Sequence, residues 1–501
     1  MLFYRICLKI NKIRPFCCSF QGGRFNFTAL GNHISHLVLV LLGVCGVLLG
    51  TVSVTGCDRE AHEKSGVQKC GMAQFDSVGS DYFSIGKLCG VDVAVVRSVV
   101  GKDTLVHKFV MMDSSTASLG TDLRRRGFPE EWHSAKVLQI PLKRVAALST
   151  SQVGYLLRLG LRDNIVGVSD GKYIVDSVLY DRARPDHGRA SDFVQSIGYD
   201  ADALEKLMAL SPDLIFDFTT GGDYDNYEQI ARTSLPLMLT SEWQESRPLA
   251  KLEWIKLYGT LFGVRPLADS IYEQEKTMYE TLRNLIAQSE ATSSNTDERT
   301  DFQSYRRQMP KASETELLAS LFPSRAFDTC IKTKENVSEK NLSSIVYRLS
   351  SKNCPKVLAG MSYGGVWHAP GGSSFTANLI RDAGGCYLWA SDSSRELTFS
   401  FEQVYAFADS VDVWVNPSMF ATADEILALE PRVKNIKAFK ERMVFQNDGR
   451  RGIGAGNDFY EEAVTRPAEL LWNFAKCING AVPGVNSLDT TYTWYRNIYN
   501  F

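Results

Sequence analysis

The first 56 residues contain no aspartate and no glutamate, against five basic residues, Arg5, Lys9, Lys12, Arg14 and Arg24. Such one-sided charge is unlike the mixed surface of a folded domain and reads as an export leader. The chain also lacks the uninterrupted apolar run of about 20 residues that a membrane-spanning helix needs. Its longest run, residues 37–52, is shorter and closes on small residues. Histidine is scarce, seven in all, and no CxxC or paired Cys/His spacing occurs. That excludes the usual zinc sites and makes a carrier of bare zinc or manganese a poor reading. A surplus of positive charge is missing too: 55 Lys and Arg face 57 Asp and Glu. Loss of the leader takes the net charge from −2 to −7, which argues against a nucleic-acid partner, because phosphate binding wants a basic face. The glycine run Gly452-Ile453-Gly454-Ala455-Gly456-Asn457 lacks the preceding strand, following helix and later acid of a dinucleotide fingerprint. It reads instead as a mobile cleft loop.

What is present is an ordinary globular composition, 44% hydrophobic and 22% charged, at a length that favours two domains or more. The leader ends in Val54-Thr55-Gly56-Cys57. That sequence resembles the bacterial lipobox, which implies cleavage before Cys57, a diacylglycerol on its thiol and an anchor in a bacterial membrane. The location expected is the periplasm or cell envelope. Six cysteines then remain, Cys70, Cys89, Cys330, Cys354, Cys386 and Cys477. An oxidising compartment permits disulfides, expected among the last four, with free buried thiols as the alternative.

Along the chain, a tether and a β-hairpin extension occupy residues 57–141. Apolar runs near 91–96 and 105–110 flank Gly101-Lys102-Asp103 as a hairpin would. Arg124-Arg125-Arg126 reads as a solvated turn. Residues 142–264 alternate short strands and helices, and so do 355–480. Alternation of this kind predicts parallel sheets covered on both faces. Between them, 265–288 reads as one long helix, with Pro266 in its first turn and a stripe of Leu267, Ile271, Met278, Leu282 and Leu285. A polar insertion (289–354) and an aromatic tail (481–501) complete the chain. The fold class expected is α/β, two Rossmann-like lobes joined by a single long helix.

The segments RVAALSTSQVGYLLRLGLRDNIVGVS with LEKLMALSPDLIF, and KVLAGMSYGGVWHAPGGSSFTANLIRDAGG with FSFEQVYAFADSVDVWV, resemble the siderophore, haem and cobalamin solute-binding proteins of ATP-driven importers. The upstream hairpin and the stretch 367–372 are similar to a Bacteroidetes-type branch. In open α/β sheets ligands bind beyond the carboxyl ends of strands, and sites prefer domain interfaces. The cleft residues expected are therefore Ser149, Thr150, Ser151, Tyr180, Arg182, Arg184 and Trp243 from one lobe. The other lobe supplies Tyr363, Trp367, His368, Arg450 and Arg451. Aromatics would stack on a flat ligand and arginines would neutralise its anionic groups. His187 and His368 are candidates for axial haem ligation, although loop histidines are more often simply hydrogen-bonded. The resemblance implies a second role for Glu205 and Glu402, one surface carboxylate per lobe docking onto a membrane permease.

The function expected is capture of an iron-siderophore-type chelate and its delivery to an ABC permease and its ATPase, with haem or a corrinoid as alternative ligands. No resident cofactor or metal is expected. A chelatase-like tetrapyrrole enzyme and a surface adhesin are the readings from other classes; the chain is expected not to be an enzyme.

Overall fold

The computed structural model describes residues 70–291, 354–479 and 493–499, apart from 77, 119, 188–190, 223–224, 226, 393–395, 418–419 and 421. Cys57, the leader and the insertion lie outside the described residues. So does Cys330.

Alternation along 83–112 builds more than a hairpin. β1 (Gln74–Phe75), β2 (Phe83–Leu88), β3 (Val91–Val100), β4 (Asp103–Met112) and β5 (Lys136–Gln139) form one sheet in that order. The turn between β3 and β4 runs through Gly101, whose φ of +60° suits glycine. Both faces of this sheet are buried. Phe83, Ile85, Val96 and Phe109 join the core of the first lobe, against Trp254 and Leu257. Val93, Val95 and Val110, on the other face, cover Phe128 and Trp132. A disulfide, Cys70–Cys89, holds the edge with its Cα atoms 5.4 Å apart.

The first lobe follows the predicted alternation. β6 (Val145–Ala147), β7 (Ile165–Val168), β8 (Gln195–Ser196), β9 (Leu214–Asp217) and β10 (Leu237–Leu239) pair in the order β10-β9-β6-β7-β8. Every pairing is parallel. Helix Thr150–Arg158 starts at Ser149, which forms a capping box with Gln152.

In the second lobe β11 (Lys356–Ala359), β14 (Cys386–Tyr387), β16 (Val413–Val415), β17 (Val444–Gln446) and β18 (Arg496–Asn497) order as β14-β11-β16-β17-β18. All are parallel except β18, which runs antiparallel to β17. The aromatic tail therefore contributes a strand, and its Trp494 and Tyr495 are core residues. β12 (Met361–Tyr363), β13 (Val366–Pro370) and β15 (Glu396–Ser400) add a small antiparallel sheet. The second disulfide is Cys354–Cys386. Pairing is thus not confined to the last four cysteines, and Cys477 is a buried free thiol.

Helix Arg265–Ala291, 27 residues long, belongs to both lobes. Ala268 and Tyr272 pack in the first-lobe core, and Met278, Tyr279, Leu282 and Ile286 in the second. The buried stripe is rotated from the expected one, because Leu267 is 45% exposed. Gly259 lets helix Ile255–Leu261 lie close against it, since a Cβ there would overlap Ala268. Its buried carboxylate, Glu275, receives Arg158 of the first lobe at 3.0 Å and the Ala468 N–H of the second at 3.5 Å. A helix packed into two cores resists hinge motion, because bending it would open both.

Candidate functional site

Three parallel strands of the second lobe end at one cavity. Gly360 follows β11, Asn416 follows β16 and Asn447 follows β17, and all three line a space of about 360 Å³. Phe375, Phe459, Val464 and Leu470 make its apolar wall, and Lys251 enters from the first lobe. This is the place where the topology of an open α/β sheet puts ligands. Gly360 has φ +92°, and a Cβ there would overlap the backbone of His368. Asn416 holds φ +53°, a left-handed conformation that asparagine tolerates.

The first lobe answers with a buried polar cluster at its own strand ends. Ser149 Oγ and Ser151 Oγ are 2.9 Å apart, and Ser151 donates to Glu242 Oε1 at 2.6 Å. Glu242 is fully buried, and among the described residues its Oε2 has no hydrogen-bond partner. Gln152 donates to Thr240 at 2.9 Å. Thr150 reaches across the cleft to the carbonyl of Tyr460 at 3.3 Å. The three residues expected at this helix start therefore divide their work. Ser149 caps and Ser151 is internal, while Thr150 meets the other lobe.

The glycine run forms a clasp rather than a free loop. A Cβ at Gly452, Gly454 or Gly456 would come under 3.0 Å from main-chain atoms of Ile174, Lys172 or Tyr173. The Ala455 N–H donates to Lys172 O at 2.7 Å. Glu461 closes the clasp by accepting the N–H groups of Val175 and Asp176, each at 2.9 Å. Burial pushes its carboxyl up to about 7, against the pull of those two donors. Tyr180 lies beside the clasp, near Gly454.

The expected arginines all have carboxylate partners already. Arg182 binds Asp163 at 2.7 Å and Asp192 at 3.2 Å, and Arg184 binds Asp186. Arg450 binds Glu462 at 2.7 Å and Asp458 at 3.2 Å; Arg451 binds Asp448 at 2.6 Å. A ligand anion would have to displace or share these partners. Trp367 is fully buried, with Nε1 donating to Ala359 O at 3.1 Å and its ring 5.4 Å from Trp414. Its alternation in β13 turns it to the core, so it has no face to offer a ligand, contrary to the stacking role expected for it. His368 is the exposed neighbour, 3.7 Å from Glu396, and Tyr363 lies between it and Phe420. His187 is bonded to Asp192 at 3.0 Å. Trp243 is 43% exposed.

Two features escaped the sequence reading. Lys251 sits on helix Pro248–Glu253 rather than in a strand-end loop, so no loop signal marks it. The N-terminal sheet steadies the Trp243 loop from below. Ser98 in β3 bonds Ser241 at 2.6 Å, and the Val99 main chain pairs with the Gln244 amide at 2.7 and 3.2 Å.

The two expected docking carboxylates differ. Glu205, in the first turn of helix Ala203–Leu210, is exposed, and among the described residues no cation pairs with it. Glu402 is exposed but bonded to Arg432 at 2.7 Å, and its carboxyl is held below the usual range by its own N–H, Ser400 and Arg432.

No family model matches the chain. It is 18% identical over 352 residues to an uncharacterized lipoprotein of Methanocaldococcus jannaschii, covering 69% of this chain and 67% of that one. Among solved structures it is similar to a periplasmic heme-binding protein from Pseudomonas aeruginosa, at 16% identity and TM-score 0.43, over 71% of this chain and 98% of that one. It is also similar to a periplasmic vitamin B12 binding protein of Vibrio cholerae, at 13% identity and TM-score 0.39, over 68% and 98%. A third is a possible iron-binding, periplasmic solute-binding protein from Staphylococcus epidermidis, at 13% identity and TM-score 0.40, over 68% and 99%.

Proposed function

We propose that this protein is the solute-capture component of an importer, holding an iron chelate between its two lobes and presenting it to a membrane permease. The observation that carries the reading is the cavity at the carboxyl ends of β11, β16 and β17, walled on its far side by Lys251 of the other lobe. Domain interfaces and strand ends are where such folds place ligands. The helix shared by both cores fits a capture device with little lobe closure. At about 360 Å³ the cavity lies at the small end of ligand sites, about 300–1,000 Å³. That size favours a compact chelate, or one arm of a larger one, over a whole corrinoid. Lipid on Cys57 would keep the protein within reach of its permease.

Mass spectrometry and absorbance of the protein purified from its native host test this reading. A co-purifying ferric chelate, with one equivalent bound in titration and released unchanged, is the expected result. Haemin or cobalamin bound instead would change the ligand and keep the role. A protein that binds none of the three sinks the proposal, and chemical turnover of the ligand would make it an enzyme.

A further inference from the structure

The interior face of Lys251 is unaccounted for by folding. Its backbone carbonyl accepts the Tyr155 hydroxyl, which anchors the helix. Its ammonium, by contrast, has no carboxylate or carbonyl acceptor among the described residues. It lies 4.4 Å from the centroid of the Phe375 ring of the second lobe, and it lines the cavity. Cation–π contact is worth little beside a lost hydration shell. Lys251 is half-buried, and an ammonium that meets no acceptor and faces an open space marks a place for an anion. Asn447 lines the same cavity, and its amide, which donates to Tyr460 Oη at 3.4 Å, has a second N–H suited to a remaining lone pair of an oxyanion. Phe375, Phe459 and Leu470 supply a wall for an apolar body.

We propose that Lys251 is the anion anchor of this cavity, and that the ligand is an organic anion whose carboxylate or phenolate oxygen meets Nζ while its apolar part packs on Phe375 and Phe459. The proposal deepens the capture reading and rests on it for the larger ligand. Burial lowers the Lys251 pKa, while Glu242 and Glu245 act to raise it. A bound anion would add to their effect and hold the amine charged.

The test uses the full chain with benzoate and its neutral analogue benzamide as probes, titrated by calorimetry against wild type and Lys251→Met. Wild type is expected to prefer benzoate at least tenfold, and Lys251→Met to abolish the preference. The unliganded variant should melt no lower than wild type, because methionine keeps the packing against Phe375 and no hydrogen bond of the ammonium is lost. A melting point clearly below wild type would assign Lys251 a structural role and overturn the anchor. Equal affinity for the two probes, no affinity for either, or a preference surviving in the variant would also overturn it. The chelate titration separates this outcome from the capture reading. Benzoate preference without chelate binding leaves the anchor and removes capture; chelate binding untouched by Lys251→Met does the reverse.

Discussion

Glu461, in the second lobe, accepts the backbone N–H of Val175, in the first, at 2.9 Å, with Asp176 bonded to its other oxygen. One carboxylate thus ties the lobes together beside three glycines that let two main chains touch.

This carboxyl should make stability depend on pH. Its pKa rises from the usual 4.5 to about 7 because burial penalises the charge. Between those values the folded protein holds a proton that the unfolded chain has lost. The contribution is therefore full below pH 4.5 and is lost as pH rises through 7, by at most about 3 kcal/mol. Urea unfolding of wild type and Glu461→Gln at pH 5.5 and 8.5 checks it. The variant should show the smaller difference between the two, and an unchanged difference would refute the assignment.

The clasp glycines should tolerate no side chain. Gly454→Ala places a methyl against Lys172 O and Tyr180, and should cost about 1–3 kcal/mol, as overpacking does. Gly71, with nothing within 4 Å of its would-be Cβ, is the control. Calorimetric melting that ranks Gly71→Ala as the worse substitution would remove the clasp.

The two tryptophans expected to stack on ligand should behave differently. Trp367→Ala empties a fully buried site and should destabilise by about 3–5 kcal/mol. Trp243, 43% exposed, should cost little when replaced by Ala and should instead weaken ligand binding if it faces the cleft. Thermal melts and ligand titrations of both variants separate the two effects.

Docking should depend on both surface carboxylates. Reversing Glu205 and Glu402 to Lys should abolish uptake in cells and leave ligand affinity unchanged. Because Glu402 is already bonded to Arg432, Arg432→Ala should strengthen rather than weaken docking to a cationic permease surface. Pull-down of the permease with each variant measures this. Loss of ligand affinity in the double reversal would show the carboxylates to be misassigned.

Much of the architecture was legible in the sequence, and the reasons are local. Strand–helix alternation in Val145–Ala147, Thr150–Arg158 and Ile165–Val168 follows from short apolar runs and a capping box, all within a few residues. The cleft loop ending at Tyr460 was placed by topology, since strand ends in a parallel sheet share one edge. The extent of the N-terminal sheet was not legible. β1 and β5 are short, and β5 pairs in parallel with β4.

By itself the sequence determined the two α/β halves and the long helix between them, because periodicity is carried by neighbouring residues. Only the tertiary structure decided that Trp367 is core, that Arg182, Arg184, Arg450 and Arg451 are already paired, and that Lys251 faces a cavity with no hydrogen-bond acceptor among the described residues. Each of those outcomes depends on residues far apart in the chain. Burial and pairing are properties of what a side chain meets after the lobes have packed, and no local pattern records them.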